Sequence, residues 1–152
     1  MALLPFNKKR EFFTEKQQQQ MVEAIQKAEK NTSGEVRFFV ESKCKFVDPV
    51  DRAHEIFFSL KMEQTKDRNA VLLYMAMDDH QLALFADEGI YQRLGKQYWN
   101  DEVKKIISHF TKDDYTGGIC HVISNIGEAL QKEFPYDSDD KNELPDEIIF
   151  GN

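Results

Sequence analysis

The run NAVLLYMAM at positions 69–77 is the longest almost uninterrupted apolar stretch of the chain, and the predicted fold is built around it. A strand this apolar is typical of the centre of a sheet, where both faces are buried. Asp78 and Asp79 end the run, and the sequence QLALFA at positions 81–86 is predicted to resume as a second strand. Because only a short polar turn joins the two strands, we predict an antiparallel hairpin.

A further strand is predicted over residues 35–41, where the apolar residues Val36, Phe38 and Val40 recur at every second position. Asp48-Pro49 then marks the start of a helix, with aspartate as the N-cap and proline at the first helical position. Because this helix separates the strand from the 69–77 strand, the two strands are expected to be parallel.

Apolar residues at helical spacing predict three more helices around the sheet. The first helix begins at Thr14, which is expected to form a capping box with Gln17. The other two are marked by two apolar stripes: Trp99, Val103, Ile106 and Phe110, followed by Ile119, Val122, Ile123, Ile126 and Leu130. The predicted fold class is therefore α/β, a three-layer α/β/α sandwich in which helices cover both faces of a small mixed sheet.

The composition along the chain divides it into three parts. Residues 1–11 are expected to be an N-terminal extension, residues 12–135 the folded domain, and residues 136–152 an acidic, largely disordered tail. Ile148 to Phe150 are apolar enough to dock on another surface, an alternative to disorder that the composition leaves open.

Length and charge restrict the function. The 152 residues suffice for one domain with a hydrophobic core, and the formal net charge of −7 excludes nucleic acid and anionic membranes as expected partners. No apolar run approaches the roughly 18 residues of a membrane span. The two cysteines, Cys44 and Cys120, are not part of a CxxC pair, so we expect free thiols in a reducing, cytoplasmic setting.

The hairpin register brings polar residues together at one end of the sheet. If Asp78 and Asp79 form the turn, then Ala70 lies opposite Asp87, and Asn69 lies opposite Glu88. The 35–41 strand, being parallel to the 69–77 strand, begins at the same end. Clustered carboxylates repel one another unless a cation joins them, and hard oxygen ligands suit Ca²⁺ or Mg²⁺. The predicted metal ligands are Glu35, Asp67, Asn69, Asp87 and Glu88.

Arg68 and Asp87 are the predicted catalytic residues. A cation held by Asp87 and its neighbours would polarise a phosphoryl group, and Arg68 would clamp the phosphate oxygens. The sequence identifies no nucleophile and no general base for such a reaction. The structural alternative is that Asp87 caps a short helix and Arg68 forms an ion pair with Glu88.

Four short motifs together resemble one known family, and the resemblance spans roughly residues 12–135. They are TSGEV at 32–36, RNAVLL at 68–73, ADEGI at 86–90 and the segment 110–118. Their order and spacing are similar to those of the TPM-domain family, in particular its stand-alone bacterial members. The resemblance implies an α/β/α sandwich, divalent-cation binding near the acidic loops and weak acid-phosphatase activity. Ala70 departs from it, because the family usually has glycine there.

Two functions are consistent with these residues. The first is a metal-dependent phosphomonoesterase of low activity that uses Ca²⁺ or Mg²⁺. The alternative is a non-catalytic module in which the same carboxylates bind the cation and order the loops for a protein partner.

Overall fold

The structure is a computed structural model, and it describes residues 12–45, 48–135 and 148–151. The helices are α1 (Glu15–Glu29), α2 (Pro49–Ser59), α3 (Glu88–Leu94), α4 (Lys96–Phe110) and α5 (Tyr115–Glu133). The strands are β1 (Glu35–Glu41), β2 (Ala70–Ala76), β3 (Gln81–Ala86) and β4 (Ile148–Phe150). No helix in this described part of the chain combines the length and the apolar character needed to cross a bilayer.

The strands form one mixed sheet in the order β3-β2-β1-β4. β1 is parallel to both of its neighbours, β2 and β4, whereas β2 and β3 are antiparallel. Every residue of β1 and β2 is buried, which matches their central positions. The predicted hairpin and the parallel pair are confirmed, because Ala76 pairs with Gln81 and Glu35 pairs with Ala70.

Helices cover both faces of the sheet, so the predicted three-layer α/β/α architecture is confirmed. The larger core joins one face of β1 and β2 to α1, α4 and α5, with Phe38, Ile25 and Ile126 fully buried. The smaller core joins the other face to α2, through Phe57 and Ala53. Side chains alternate between the faces along each strand, so both layers are fixed by the same strands.

The predicted helix starts are also confirmed. Thr14 Oγ1 accepts a hydrogen bond from Gln17 N, and Gln17 Oε1 accepts one from Thr14 N, which completes the capping box. Asp48 caps α2 through Val50 N, with proline following at the first helical position. Each cap satisfies amide groups that the helix itself leaves without partners.

β4 is the element that the sequence did not predict. It lies within residues 136–152, for which the composition predicts an acidic, largely disordered tail. Phe38 and Val40 of β1 pair in parallel with Ile148 and Phe150, and Gly151 N donates to the Val40 carbonyl oxygen. The apolar end of the segment thereby covers one sheet edge, while residues 136–147 lie outside the described residues.

A buried polar network connects the sheet to α2. Glu41 is 3% exposed, and its carboxylate accepts hydrogen bonds from Arg52 Nε and Nη2, both at 2.9 Å. Tyr74 Oη donates to the same carboxylate. Burial, and then the hydrogen bond to Glu41, raise the pKa of Tyr74 well above its ordinary value. Burial is also the largest cause of the raised pKa of Tyr98, in α4.

These two tyrosines predict a loss of stability in alkaline solution. In the unfolded chain they lose their protons near pH ~10, whereas in the folded chain they keep them. The contribution of these two tyrosines to the free energy of unfolding should therefore be constant below that pH. Above it, the free energy should fall by about 1.4 kcal/mol per pH unit for each tyrosine. Urea unfolding across this range measures the slope, and Tyr74→Phe should reduce it by about 1.4 kcal/mol per pH unit. An unchanged slope in that variant would contradict the assignment.

Candidate functional site

The candidate site lies where β1 and β2 begin and β3 ends. Its centre is an ion pair between Arg68 and Asp87, in which Arg68 Nε is 2.6 Å from Asp87 Oδ2 and Nη2 is 2.7 Å from Oδ1. The aspartate is 3% exposed, so the pair lies partly inside the protein. Asp87 Oδ1 also accepts from Glu88 N and thereby caps α3. Arg68 Nη1 lies 3.6 Å from Glu88 Oε2, so the contact expected from the structural alternative is present as well.

The backbone of Arg68 anchors the first turn of α3. Arg68 adopts a left-handed conformation with φ 52°, and its carbonyl oxygen accepts from Gly89 N at 2.8 Å and from Ile90 N at 3.3 Å. A side chain at position 89 would collide with this loop, because its Cβ would lie 2.6 Å from the Arg68 carbonyl oxygen and nearer still to that of Asp67. Gly89 therefore permits the close packing that brings Asp87 and Glu88 to the 67–69 loop.

Ser33 joins Asp67 to Asn69. Its hydroxyl donates to Asp67 Oδ2 at 3.0 Å and accepts from Asn69 Nδ2 at the same distance. This chain fixes the orientation of the asparagine, because the carboxylate can only accept and the hydroxyl must then accept from the amide nitrogen. Asn69 is fully buried, and its Oδ1 has no hydrogen-bond partner among the described residues. A buried amide oxygen of this kind is one that a ligand could satisfy.

The carboxylates that act on Arg68 carry more negative charge than its guanidinium offsets. Its hydrogen bonds to Asp87 are the largest reason that the pKa of its guanidinium is raised, and the charges of Glu88 and Glu63 add to the effect against a lowering by desolvation. Glu63 was not among the predicted residues, and its Oε1 is buried without a hydrogen-bond partner among the described residues. One guanidinium thus faces three carboxylates, and the surplus of negative charge would attract a cation.

The five predicted metal ligands do not form a single closed group. Asp67 and Asn69 are joined through Ser33, whereas Asp87 and Glu88 are gathered around Arg68. Glu35 is buried at the start of β1, and its amide nitrogen lies 3.5 Å from the Asn69 carbonyl oxygen. In the described ranges, no three side chains of His, Cys, Asp or Glu are placed to hold a metal ion.

The predicted ligands differ in how well they suit a divalent cation. Asp67 and the free Oδ1 of Asn69 supply the hard oxygen donors that Ca²⁺ and Mg²⁺ prefer. Both oxygens of Asp87 already accept from a guanidinium, so this residue suits a cation less well as a direct ligand. A cation at this site would take its remaining ligands from backbone carbonyls and water, as weakly bound ions do.

A groove opens beside the site, and sequence reasoning missed it. Its volume is about 410 Å³, and it runs between α2, the edge strand β3 and α3. The walls include Val50, His54, Phe58, Phe85, Arg68 and Tyr91. The exposed apolar residues of α2 were a signal in the sequence, but only the packing of α2 beside α3 turns them into a groove.

Comparisons with known proteins agree with this fold. The family profile described as TPM domain matches residues 6–129. The solution structure of the BA42 protein from the psychrophilic bacterium Bizionia argentinensis is 37% identical, with a TM-score of 0.86 over 95% of this chain and 99% of that chain.

A second solved structure, the N-terminal domain of the cg2496 protein from Corynebacterium glutamicum, is 10% identical and shares the fold, with a TM-score of 0.64 over 88% of this chain and 84% of that chain. A comparison with functionally curated proteins finds no match. The matched profile covers most of the chain, and the similarity to the BA42 protein extends over almost all of it. This chain therefore belongs to the TPM domain family.

Proposed function

We propose that this protein is a non-catalytic module that binds Ca²⁺ or Mg²⁺ weakly and uses the ordered loops to contact a protein partner. The observation that carries the proposal is the buried Oδ1 of Asn69, which has no hydrogen-bond partner among the described residues and whose side chain is joined through Ser33 to the carboxylate of Asp67. A cytoplasmic location is part of the proposal, because neither Cys44 nor Cys120 is in a disulfide within the described residues.

The arrangement of charges supports a binding role. The bound ion would add positive charge where Glu63, Asp87 and Glu88 outnumber Arg68, and so would reduce repulsion between the 67–69 loop and the start of α3. Because both segments border the groove, a cation would order its polar end. Few charged ligands imply a dissociation constant on the order of 10⁻⁴ to 10⁻³ M.

The cation site is tested by titrating Ca²⁺ and Mg²⁺ into the isotope-labelled protein and following the amide NMR signals. We expect saturable shifts over residues 33–35, 67–69 and 87–89, and we expect Asp67→Asn to weaken binding at least about tenfold. Losing one charged ligand has this effect because ligand charge largely sets the affinity.

The matched control is Asp101→Asn, which removes the same charge from an exposed position of α4, where Asp101 accepts only a hydrogen bond from Gln97 among the described residues. This variant should titrate like the wild-type protein. If Asp67→Asn binds the cation as tightly as the wild type does, or if the shifts lie elsewhere, the proposed site is wrong.

The second candidate function is a slow, cation-dependent phosphomonoesterase, with Arg68 contacting the phosphate. The observation in its favour is that Arg68 is 36% exposed and lines the groove, so an anion could reach it. The observation against it is that Nε and Nη2 of Arg68 are already bound to Asp87. When bound, the cation would polarise the phosphoryl oxygen.

An assay of p-nitrophenyl phosphate hydrolysis with Ca²⁺ or Mg²⁺ separates the two candidates. The binding proposal predicts no turnover above that of a blank preparation. Turnover that disappears in a folded Asp87→Asn variant would favour the phosphatase instead. Turnover that survives the change would show that Asp87 has no part in the activity.

A further inference from the structure

β3 forms an unprotected edge of the sheet. Within the described residues it pairs with β2 on one side and with no strand on the other. Its sequence QLALFA contains no charged residue, no proline and no glycine, the devices that usually prevent an edge strand from pairing. Alternate residues of such an edge direct their N–H and C=O groups outward, where another extended segment can bind them.

The groove lies directly beside this edge and is lined with aromatic side chains. Phe58 and Tyr91 are each 39% exposed, and Val50 is 47% exposed. The Phe58 ring lies 6.1 Å from the Phe85 ring, so α2 and β3 form one continuous apolar wall. An exposed aromatic wall next to a free strand edge is typical of a site for an extended peptide.

The charges at the two ends of β3 favour one kind of segment as its pairing partner. Asp78 and Asp79 precede β3, and the exposed Glu88 follows it, so both ends of the edge carry carboxylates. If a second copy of this chain paired antiparallel with β3, the acidic residues before one strand would face those after the other and would repel them. A peptide with an apolar centre and lysine or arginine at both ends would instead place unlike charges together.

We propose that β3 and the adjacent groove bind an extended, basic-flanked peptide of a partner protein by strand addition, with an apolar side chain of the peptide inserted between Phe58 and Tyr91. The inference rests on the proposed interaction role and names the partner's chemistry. The backbone of β3 supplies the hydrogen bonds to the peptide, and the groove supplies specificity for the inserted side chain. The exposed Glu88 attracts the lysine or arginine at one end of the peptide.

The probe is the peptide KKVTFTVKK, acetylated and amidated, titrated into the full labelled chain. We expect amide shifts over residues 81–86 and at Phe58 and Tyr91, and binding that weakens with added salt. Phe58→Ser should reduce the affinity about tenfold, because most of an aromatic contact is lost. The matched control is Ile107→Ser, which changes a 48% exposed apolar residue of α4 that does not line the groove, and it should bind unchanged.

Two control peptides separate the contributions. A version that is N-methylated at its five central residues cannot donate backbone hydrogen bonds, and it should not bind. A version with glutamate in place of every lysine should bind at least about tenfold more weakly at low salt, because it meets like charges at both ends.

Three results would overturn the inference: no shifts at millimolar peptide, equal binding of the N-methylated peptide, or concentration-dependent shifts of β3 without peptide. The last of these would identify a second copy as the occupant.

Repeating the titration with EDTA and with Ca²⁺ distinguishes a failure of the cation site from a failure of the strand-addition site. Peptide binding without any cation shifts would contradict the cation site alone, and cation shifts without peptide binding would contradict the strand-addition site alone.

Discussion

Replacing Gly89 with alanine is expected to lower the free energy of unfolding by about 3 kcal/mol, near the upper end of the usual cost of overpacking. The added Cβ would lie 2.6 Å from the Arg68 carbonyl oxygen, and the atoms that it meets are backbone atoms, which cannot rotate away. The first turn of α3 would have to move from the 67–69 loop. For a chain of this length, the loss corresponds to a decrease in Tm of roughly 6–12 °C.

The same change should disturb the candidate site. Gly89 N and Ile90 N donate to Arg68, so a displaced helix would weaken the Arg68–Asp87 pair and shift the amide signals of residues 67–69. The control is Glu88→Ala, which changes the exposed neighbour and keeps the backbone contact; it should alter stability by less than about 1 kcal/mol. Thermal unfolding of both variants measures the two losses of stability. A Gly89→Ala variant as stable as the wild type would contradict the close packing of Gly89 against the 67–69 loop.

Replacing Glu41 with alanine is expected to lower the free energy of unfolding by about 3 kcal/mol or more. The change leaves the guanidinium of Arg52 without its two 2.9 Å hydrogen bonds to Glu41 and leaves the buried Tyr74 hydroxyl without its carboxylate acceptor. Tyr74 is fully buried, where an unsatisfied polar group is costly, whereas Arg52 is 26% exposed and keeps its ion pair with Glu55, so most of the loss should come from the buried side of the network. Denaturant unfolding measures the effect directly.

The matched control for Glu41 uses the same arginine. Arg52 also forms an ion pair with Glu55, whose side chain is 54% exposed, and Glu55→Ala should cost only about 0.5 kcal/mol because solvent screens that pair. A cycle with Arg52→Ala should then show strong coupling to Glu41 and weak coupling to Glu55. Equal losses in the two glutamate variants would mean that burial does not set the strength of these pairs.

The sequence contained enough information for the order and type of most elements. The apolar run at 69–77 could only be stable in the middle of a sheet, because it offers no polar face to water. The two-residue turn at Asp78 and Asp79 fixed the register with β3, since a shift of one residue would reverse the faces of every side chain. From that register, the convergence of Asn69, Asp87 and Glu88 at one end followed by counting.

The tertiary structure decided which of these residues contact one another. Counting along strands shows which residues share an end of the sheet, but it does not reveal that Arg68 turns back to bind Asp87 or that Ser33 joins Asp67 to Asn69. Those contacts depend on a left-handed backbone at Arg68 and on a glycine at position 89 that admits the loop. Periodicity carries no information about either feature.

The sequence by itself determined the layers, because hydrophobic spacing dictates which face of each element is buried. Only the tertiary structure placed Ile148–Phe150 beside β1, because pairing between distant segments depends on a free strand edge rather than on local pattern. It likewise formed the groove from α2, β3 and α3, whose exposed aromatic residues are far apart in the chain. Local preference sets each element, and long-range packing sets what those elements can bind.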